Sequence, residues 1–492
     1  MIIWSLRCSN ARDKFELIRM ATLMGLFRSE RLVLKKTAQH FLVFLGVFFA
    51  MCWGGMSGRA IAAGQLGIEP ETSLKIELTQ GKIQPASVAI APMLYSSNRA
   101  FRSLQLRNFV ERIHKVILAD FERSGLIKFI PRSLYVEDIK AFDHAPYFPD
   151  WHVVGARAVL ITEIGIEDDN RFMLRVRLWD VVLKKTMIGL QYLADVEDWR
   201  VLAHKIADSV YSRVTGEDPY FNSRVVFVAE TGKKDSRKKR IAVMDSDGKN
   251  IRYVTNGRSL VLTPRFSPTK QKIAYLTYAT GLPHINILNL NTGEQIHLDH
   301  IEGMTFAPKF SPNGTEIALS LINNGNTDIY LRNLKTGKMR QITKHLGIDT
   351  APDFSPDGKK MTFESNRGGS QQIYIMDVDG GNVRRLTYGD GSYGTPAWSP
   401  RGDLIAFTKI QSGIFYIGVI RTDGTRERVL SKSFLDEGPT WSPNGRVLMF
   451  FRETPGTKGQ SSLYTIDITG ELLQQIQLPV GASDPAWGAL IK

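Results

Sequence analysis

Cysteine is nearly absent from this chain of 492 residues, whose two copies, Cys8 and Cys52, both lie close to the amino terminus. That scarcity excludes a disulfide-stapled scaffold and a zinc site built from cysteines. Long apolar runs are also scarce. The charge-free stretch Phe41–Trp53 has 13 residues, whereas a membrane-spanning helix needs about 20. The chain is therefore not organised around disulfides or around transmembrane helices.

Several catalytic signatures are missing as well. The sequence contains no G-x-S-x-G, the strained turn that exposes the nucleophile of an α/β-hydrolase. It also lacks G-x-x-x-x-G-K-[ST], which cradles nucleotide phosphates, and H-E-x-x-H, which holds catalytic zinc. These absences favour a binding protein over an enzyme of those classes.

A strong positive field is lacking over most of the chain. The formal charge is +14, but residues 1–63 carry +6 of it, which leaves +8 for the remaining 429 residues. Nucleic-acid binding needs a concentrated basic surface, so we predict no nucleic-acid partner. The densest basic run, residues 233–240, lies between two predicted strands and is expected to be a hairpin loop. It is either solvated or docks on an anionic lipid or another acidic surface.

The first 63 residues have the pattern of a secretory signal peptide with an extended basic region. Arg31, Lys35 and Lys36 precede the apolar run, and small residues follow it, ending in Ala62-Ala63. This order is typical of signal peptides, and a retained anchor is the alternative. Cleavage after Ala62 or Ala63 would remove both cysteines, which suits an oxidising compartment.

The second half of the chain is an internal repeat. An aromatic-Ser-Pro motif recurs at aromatic spacings of 44, 44, 44 and 43 residues, and a truncated copy follows 46 residues later. Turn glycines recur at spacings of 45, 44, 43, 44 and 46. The aromatic residues are Phe266, Phe310, Phe354, Trp398, Trp441 and Trp487, and the glycines are Gly248, Gly293, Gly337, Gly380, Gly424 and Gly470.

Each repeat is predicted to form four short strands. In the third repeat they surround Phe354 and cover Lys360–Glu364, Gln372–Asp377 and Arg384–Thr387. Four strands in about 44 residues are typical of a β-propeller blade. We therefore predict an all-β six-bladed propeller over residues 221–492. One blade combines three strands from the start of this region with the strand at Trp487, so that the ring has no free edge.

Residues 64–220 lack the repeat and indicate a small α/β domain. Helices are predicted over Arg102–Ser124 and Trp199–Val214, with Gly125 and Gly216 as C-caps and Asp195 or Asp198 as the second N-cap. The predicted strands are Leu74–Leu78, Ser87–Ala91, Ala158–Ile164, Phe172–Trp179 and Met187–Leu193.

The mature chain resembles the TolB family, the periplasmic component of the Tol–Pal system of Gram-negative bacteria. The resemblance rests on four segments of the α/β domain together with the propeller repeats and the Phe434–Pro439 segment. The four segments are Leu74–Gly81, Ala89–Pro92, Leu202–Asp208 and Val214–Gly216. Repeats of this kind also occur in peptidase accessory domains, so it is their combination with the α/β domain that makes the resemblance specific.

The resemblance implies a periplasmic adaptor and not an enzyme. Family members bind the lipoprotein Pal at the mouth of the propeller and TolA through their amino-terminal segment, and they support outer-membrane integrity and constriction at cell division. Met304, Ala307 and Thr350 are carried over as Pal-binding residues. Further Pal-binding candidates, chosen by their equivalent positions in the repeats, are Thr305, Tyr393, Thr395, Asp436 and Glu437.

The amino-terminal segment is the expected TolA site. Leu74, Ile76 and Leu78 alternate with Lys75 and Glu77, a pattern that can extend a partner's sheet edge or fold back on its own domain. A segment with two such positions would act as a switch, and an inert strand is the alternative.

The sequence leaves two hypotheses about function, which belong to different classes of protein. The first is the non-enzymatic adaptor, expected to be a monomer without a cofactor, although a divalent cation in the channel is left open. The second is a secreted propeller hydrolase or glycan-binding protein that uses the channel. An acid/base pair or a metal cluster in the channel would favour the second.

Overall fold

A computed structural model describes residues 84–96, 104–166, 171–298, 304–456 and 459–491. All of them belong to one compact unit. The predicted signal peptide, residues 1–63, and the predicted strand Leu74–Leu78 lie outside the described residues.

The α/β domain is a mixed sheet covered by helices. Its strands are β1 Ala86–Ile90, β2 Leu94–Tyr95, β3 Ile127–Phe129, β4 Ala158–Ile166, β5 Phe172–Asp180 and β6 Lys185–Ala194. The sheet has the strand order β3-β1-β4-β5-β6, with β2 paired to β4. The β1–β3, β1–β4 and β2–β4 pairs are parallel, whereas β4–β5–β6 form an antiparallel meander. The helices are α1 Leu104–Ser124, α2 Phe148–Val153 and α3 Trp199–Thr215.

The helix ends were mostly predictable. Gly125 and Gly216 follow α1 and α3 with φ of +65° and +74°, the left-handed conformation that glycine adopts without steric cost. Asp198 does stand at the N-cap of α3, but its side chain makes no capping bond there. Helix α2 and strands β2 and β3 were not predicted, because they are too short to show a hydrophobic period.

The propeller consists of six four-stranded antiparallel sheets, as predicted. Four strands belong to the split blade: β7 Ser223–Thr231, β8 Lys238–Asp245, β9 Arg252–Tyr253 and β30 Gly481–Leu490. The next two blades are β10 Val261–Phe266, β11 Lys272–Thr277, β12 His284–Asn289, β13 Gln295–His297, and β14 Met304–Phe310, β15 Glu316–Asn323, β16 Asn326–Asn333, β17 Met339–Gln341. The last three are β18 Asp349–Phe354, β19 Lys360–Ser365, β20 Gln372–Asp377, β21 Arg384–Arg385; β22 Ser392–Trp398, β23 Leu404–Gln411, β24 Ile414–Arg421, β25 Arg428–Ser433; and β26 Asp436–Trp441, β27 Val447–Glu453, β28 Ser461–Asp467, β29 Leu473–Gln475.

The ring closes through its own carboxyl terminus. Strand β30 pairs antiparallel with β7, with Ala482 opposite Ala229 and Trp487 opposite Val225. The first strands of successive sheets contact one another around the ring, β10 to β14, β18, β22, β26, β30 and back to β10. The predicted closure of the split blade is therefore confirmed.

The α/β domain packs on one end of the ring and shares a core with it. One cluster of buried side chains includes Ile113 and Phe121 of α1, Val210 of α3, and Phe227 and Trp487 of the split blade. The linker is held by Asp208, whose carboxylate accepts the backbone N–H groups of Tyr220, Phe221 and Asn222 at 2.8–2.9 Å. The short linker between α3 and β7 is therefore fixed at the junction of the two domains.

Candidate partner-binding rim

The free end of the ring is formed by two sets of loops. Each first strand runs from this end towards the α/β domain, so the loop that precedes it lies at the free end. Antiparallel pairing places the hairpin between the second and third strands of each blade at the same end. We call this end the rim. It comprises residues 254–260, 342–348, 386–391, 434–435 and 476–480, together with the second-to-third-strand hairpins. In the split blade the β7–β8 hairpin takes that position.

Every first strand contains the same β-bulge just below the rim. In all six strands one residue has a positive φ of 44–67° and the pairing register shifts beside it. These residues are Thr263, Ala307, Ala351, Thr395, Gly438 and Asp484. A proline follows each of them, at 264, 308, 352, 396, 439 and 485. Proline is tolerated because the bulge interrupts the ladder and no N–H is needed there.

Sequence reasoning missed this bulge, although its signal was present. The positive-φ residues recur at the same period as the aromatic-Ser-Pro motif, and the prolines after them make the full motif x-Pro-x-aromatic-Ser-Pro. Two of the predicted site residues, Ala307 and Thr395, occupy the bulge itself. Their backbone is therefore fixed by the strand and not by a flexible loop.

The predicted Pal-binding residues fall into two groups by exposure. Met304, Ala307, Thr395 and Glu437 are half-buried. Thr305, Thr350, Tyr393 and Asp436 are buried, and the last two are wholly inaccessible to solvent. Direct contact between a partner and the side chains of Tyr393 or Asp436 is therefore not available in this conformation.

The two inaccessible side chains brace the rim from within. Asp436 accepts both Nε and Nη2 of Arg452 at 2.6 and 2.8 Å, and Ser431 and Ser433 complete its shell at 2.7 and 2.6 Å. The hydrogen bond to Asp436 is the main reason that the pKa of Arg452 is raised. The Tyr393 hydroxyl donates to Glu427 at 2.7 Å, and burial, followed by that carboxylate, raises the pKa of the tyrosine.

Thr350 and Thr395 are connected through a residue that sequence reasoning did not identify. Glu364 accepts the Thr350 hydroxyl at 2.6 Å through Oε1 and the Thr395 N–H at 2.9 Å through Oε2. The Thr395 and Thr408 hydroxyls are 2.7 Å apart, and Thr408 accepts the Gly438 N–H at 3.3 Å. This chain of bonds links three adjacent blades, so the bulges hold a fixed spacing around the mouth of the channel.

Large apolar side chains are exposed in the rim loops and hairpins. Leu346 is 99% exposed and Phe434 is 54% exposed, and both lie in loops that precede a first strand. The set comprises Leu282, Leu346, Ile348, Tyr388 and Phe434. Exposed apolar groups on one face, surrounded by polar residues, are typical of an interaction surface.

The basic run is less solvated than a loop would be. It ends inside β8, and Lys234, Arg237 and Lys239 form ion pairs with Glu453 or Glu230 at 2.7–3.1 Å. Burial acts in the opposite direction, but Lys239 and Arg237 still lower the pKa of Glu230. Lys234 and Arg237 therefore join the split blade to its neighbour through Glu453, Lys239 pairs within the split blade, and Lys233 and Lys238 remain exposed at the rim.

The other end of the channel holds a cavity of about 330 Å³ lined by the aromatic-Ser-Pro motifs. Lys309 and Asp353 form an ion pair there at 2.9 Å, and Asp353 also accepts the Trp398 N–H at 2.9 Å. Among the described residues, the one group arranged to hold a metal is His204, Asp245 and Asp247, at the domain junction and not in the channel. The sequence analysis predicted no cation site at the domain junction.

The predicted TolA-binding residues Leu74, Lys75, Ile76, Glu77 and Leu78 lie outside the described residues. The segment they form precedes β1, the first strand described in the α/β domain. None of the described helices is long and apolar enough to cross a membrane.

The fold and the rim together define the class of protein: a six-bladed propeller with an appended α/β domain and a rigid, partly apolar rim. The family within this class is given by two sequence matches. Residues 211–491 match the TolB beta propeller domain, and residues 74–187 match the TolB amino-terminal domain. The chain belongs to the TolB family.

Two relatives illustrate the membership. The chain is 60% identical over 425 residues to the Tol-Pal system protein TolB of Paramagnetospirillum magneticum (strain ATCC 700264 / AMB-1), a match that covers 86% of this chain and 94% of that protein. The crystal structure of TolB from Acinetobacter baumannii has a TM-score of 0.71 at 26% identity and covers 82% of this chain and 96% of its own. The chain therefore has a role in the Tol–Pal system.

Proposed function

We propose that this protein is a non-enzymatic periplasmic adaptor that binds Pal at the rim and TolA through Leu74–Leu78. In this role it supports outer-membrane integrity and constriction at cell division. Family membership supports the general role. The observation that carries the choice of the rim is its set of exposed apolar side chains on the face opposite the α/β domain.

The rim is suited to binding because it combines apolar contact area with rigidity. Burying an exposed leucine or phenylalanine at an interface contributes about 1.5–3 kcal/mol. The ordering cost of binding is small where the backbone is already fixed, and the Glu364 bonds and the Asp436–Arg452 pair fix it here. In this proposal, the half-buried Met304, Ala307, Thr395 and Glu437 contact Pal, and Thr305, Thr350, Tyr393 and Asp436 position them.

The Pal site is tested by placing a charge in the apolar set. We expect Leu346→Asp and Phe434→Asp each to weaken Pal binding by at least ~10-fold, as measured by calorimetry, because a charge would have to be desolvated in the interface. Both side chains are exposed, so the thermal midpoint should not change.

The matched control is Leu473→Asp. Leu473 is also exposed, at 42%, but it begins the outer strand β29 at the end of the ring that faces the α/β domain. Its replacement should leave Pal affinity unchanged. Wild-type affinity in both rim variants would contradict the proposed site, and an equal loss in the control would show that charge alone disturbs binding.

The TolA site is tested by deleting Gly64–Gln80. We expect TolA binding to be lost and Pal binding to be retained, because the predicted rim residues lie in the propeller and not in this segment. A chain in which Leu74, Ile76 and Leu78 are replaced by serine isolates the apolar side chains from the length of the segment. Unchanged TolA affinity in either variant would refute the assignment.

A further inference from the structure

A turn of the propeller is held between two helices of the α/β domain. It is the β8–β9 turn, residues 246–251. Arg123 of α1 donates to the Ser246 carbonyl at 3.2 Å and to its hydroxyl at 2.8 Å. Arg200 of α3 donates from Nε to Asp245 Oδ2 at 3.0 Å and from Nη2 to Asp247 Oδ2. The junction therefore gathers two aspartates of the propeller beneath two helices of the other domain.

His204, also on α3, has one nitrogen bonded and one nitrogen without a partner. The residue is 2% exposed, and its Nδ1 lies 2.7 Å from Asp120 Oδ2. In the tautomer whose Nδ1–H donates to this carboxylate, the lone pair of the ring is on Nε2. Nε2 is buried and has no hydrogen-bond partner. An unsatisfied buried acceptor is costly, so this nitrogen is suited to a ligand.

His204, Asp245 and Asp247 each offer a ligand atom, and these atoms lie within 4.8 Å of one another. Ligand atoms of a tetrahedral zinc ion are roughly 3.4 Å apart, given metal bonds of about 2.0–2.2 Å. Small side-chain movements would close the difference. The arginine bonds to both carboxylates use Oδ2. Asp247 Oδ1 accepts one further bond, from the Lys249 N–H at 3.2 Å. A carboxylate oxygen has two lone pairs, so each Oδ1 can still face a cation.

The outer contacts and the charges also suit a cation. A metal-binding histidine usually donates its second N–H to a carboxylate, which orients the ring, and Asp120 occupies that position. Among the described residues, Asp120, Asp245 and Asp247 form their arginine ion pairs with Arg123 and Arg200. These three carboxylates face two guanidinium groups, and the nearby carboxyl group of Asp208 interacts with Asp120 as well. The balance of acidic over basic groups favours an incoming cation.

We propose that His204, Asp245 and Asp247 bind a divalent transition-metal ion, with Zn²⁺ preferred, and that this ion fastens the α/β domain to the propeller. One imidazole nitrogen with two carboxylate oxygens is a zinc donor set, whereas Mg²⁺ and Ca²⁺ prefer oxygen ligands only. Water completes the coordination.

The test is metal titration of the chain from residue 64 onward, after removal of metal with a chelator. Zn²⁺ binding is followed by calorimetry, and Co²⁺ is used as a spectroscopic substitute that reports nitrogen and oxygen ligation. We expect one ion per chain and a thermal midpoint that rises with the Zn²⁺ concentration. Absence of stoichiometric binding of both ions would overturn the proposal.

Variants assign the ion to this site. Asp247→Asn and His204→Gln should each weaken Zn²⁺ binding by about 100-fold or more, and Asp120→Asn by about 10–100-fold through loss of ring orientation. His144→Gln is the control, because His144 is exposed on the α/β domain. Should the buried His204→Gln variant fail to fold, Asp247→Asn decides the outcome. Unchanged affinity in Asp247→Asn, or an equal loss in His144→Gln, would place the ion elsewhere and refute the proposal.

Discussion

His114 shows how one side chain can make stability depend on pH. It lies on α1 and is 7% exposed, and its Nδ1 accepts a hydrogen bond from Arg132 at 3.0 Å. Burial, followed by the nearby Arg132 charge, lowers the pKa of His114 from 6.5 to about 4. The folded chain therefore keeps this ring neutral at a pH where the unfolded chain protonates it.

The sign of the effect follows from linkage. The stability contributed by neutral His114 is fully present above pH 6.5 and is lost as the pH falls from 6.5 towards 4. We expect His114→Leu to remove up to about 3 kcal/mol of this acid sensitivity. The measurement is the free energy of unfolding in urea at several pH values across that window. An identical pH dependence in the variant and the wild type would contradict the assignment.

Local features of single residues were predictable where the cause lies in the sequence itself. Gly125 and Gly216 end their helices as predicted, because a glycine after an apolar period is a local signal. The burial of Tyr393 and Asp436 was not predictable, since it depends on Glu427 and Arg452, which lie 34 and 16 residues away.

At the scale of the strand, the bulge is the feature that shapes the mouth of the channel. A residue with a side chain in the left-handed region costs about 1–2 kcal/mol, and five of the six bulges contain such a residue. In those five blades the cost falls at the same position of the first strand, and in the sixth blade Gly438 avoids it. The bulge bends the first strand where it leaves the rim, so the half-buried site residues reach the mouth on a rigid support.

This strain gives a prediction in which glycine stabilises a strand. Ala351 has a φ of +50°, so Ala351→Gly should relieve strain and raise the free energy of unfolding by up to about 1 kcal/mol, after the entropic cost of glycine. The control is Ala318→Gly in β15, where the residue is fully buried and φ is ordinary. There the change should destabilise by about 1 kcal/mol. The measurement is the free energy of unfolding in urea. An equal loss of stability in Ala351→Gly and Ala318→Gly would show that Ala351 is not strained.

The positions of the strands were easier to predict from the sequence than the positive-φ bulge in each first strand. Two of the predicted third-blade strands agree with β19 and β20 to within one residue, because alternating apolar residues and turn glycines mark strand ends directly. The predicted strand Arg384–Thr387 extends two residues beyond β21. The bulge depends on the pairing of β18 with β19, and pairing cannot be read from the residues of one strand. For the same reason, the bridge made by Glu364 was not visible in the sequence.

At the scale of the whole molecule, the number of blades and the closure followed from the sequence. Six turn glycines give six blades, and the three strands at the start of the repeat region with the last strand at Trp487 give the closure. The packing of the α/β domain on the ring could not be predicted, because the repeat pattern carries no information about which blade this domain contacts. That domain packs against the split blade, which also closes the ring. The domain junction, the ring closure and the candidate metal site therefore lie in one region. A substitution that loosens this region should lower the stability of every blade of the ring.

Trp487 is the residue through which this coupling can be measured. Its indole N–H donates to the Ser223 hydroxyl at 2.8 Å, and its backbone N–H donates to Thr440 of the neighbouring blade at 3.1 Å. It is 8% exposed, so Trp487→Ala should cost about 3–5 kcal/mol of stability. Leu473→Ala, on an exposed outer strand, should stay within about 0.5 kcal/mol.

The decisive measurement is hydrogen exchange in the blade farthest from the closure, formed by β18–β21. A closed ring has no free edge, and once β30 loosens from β7 every blade belongs to an open chain of blades with two unsupported ends. We therefore expect Trp487→Ala to lower protection in β18–β21 as well as in β7 and β30. Loss of protection confined to β7 and β30 would show that the blades unfold independently, and the rim would then owe its rigidity to the Glu364 bonds and not to closure of the ring.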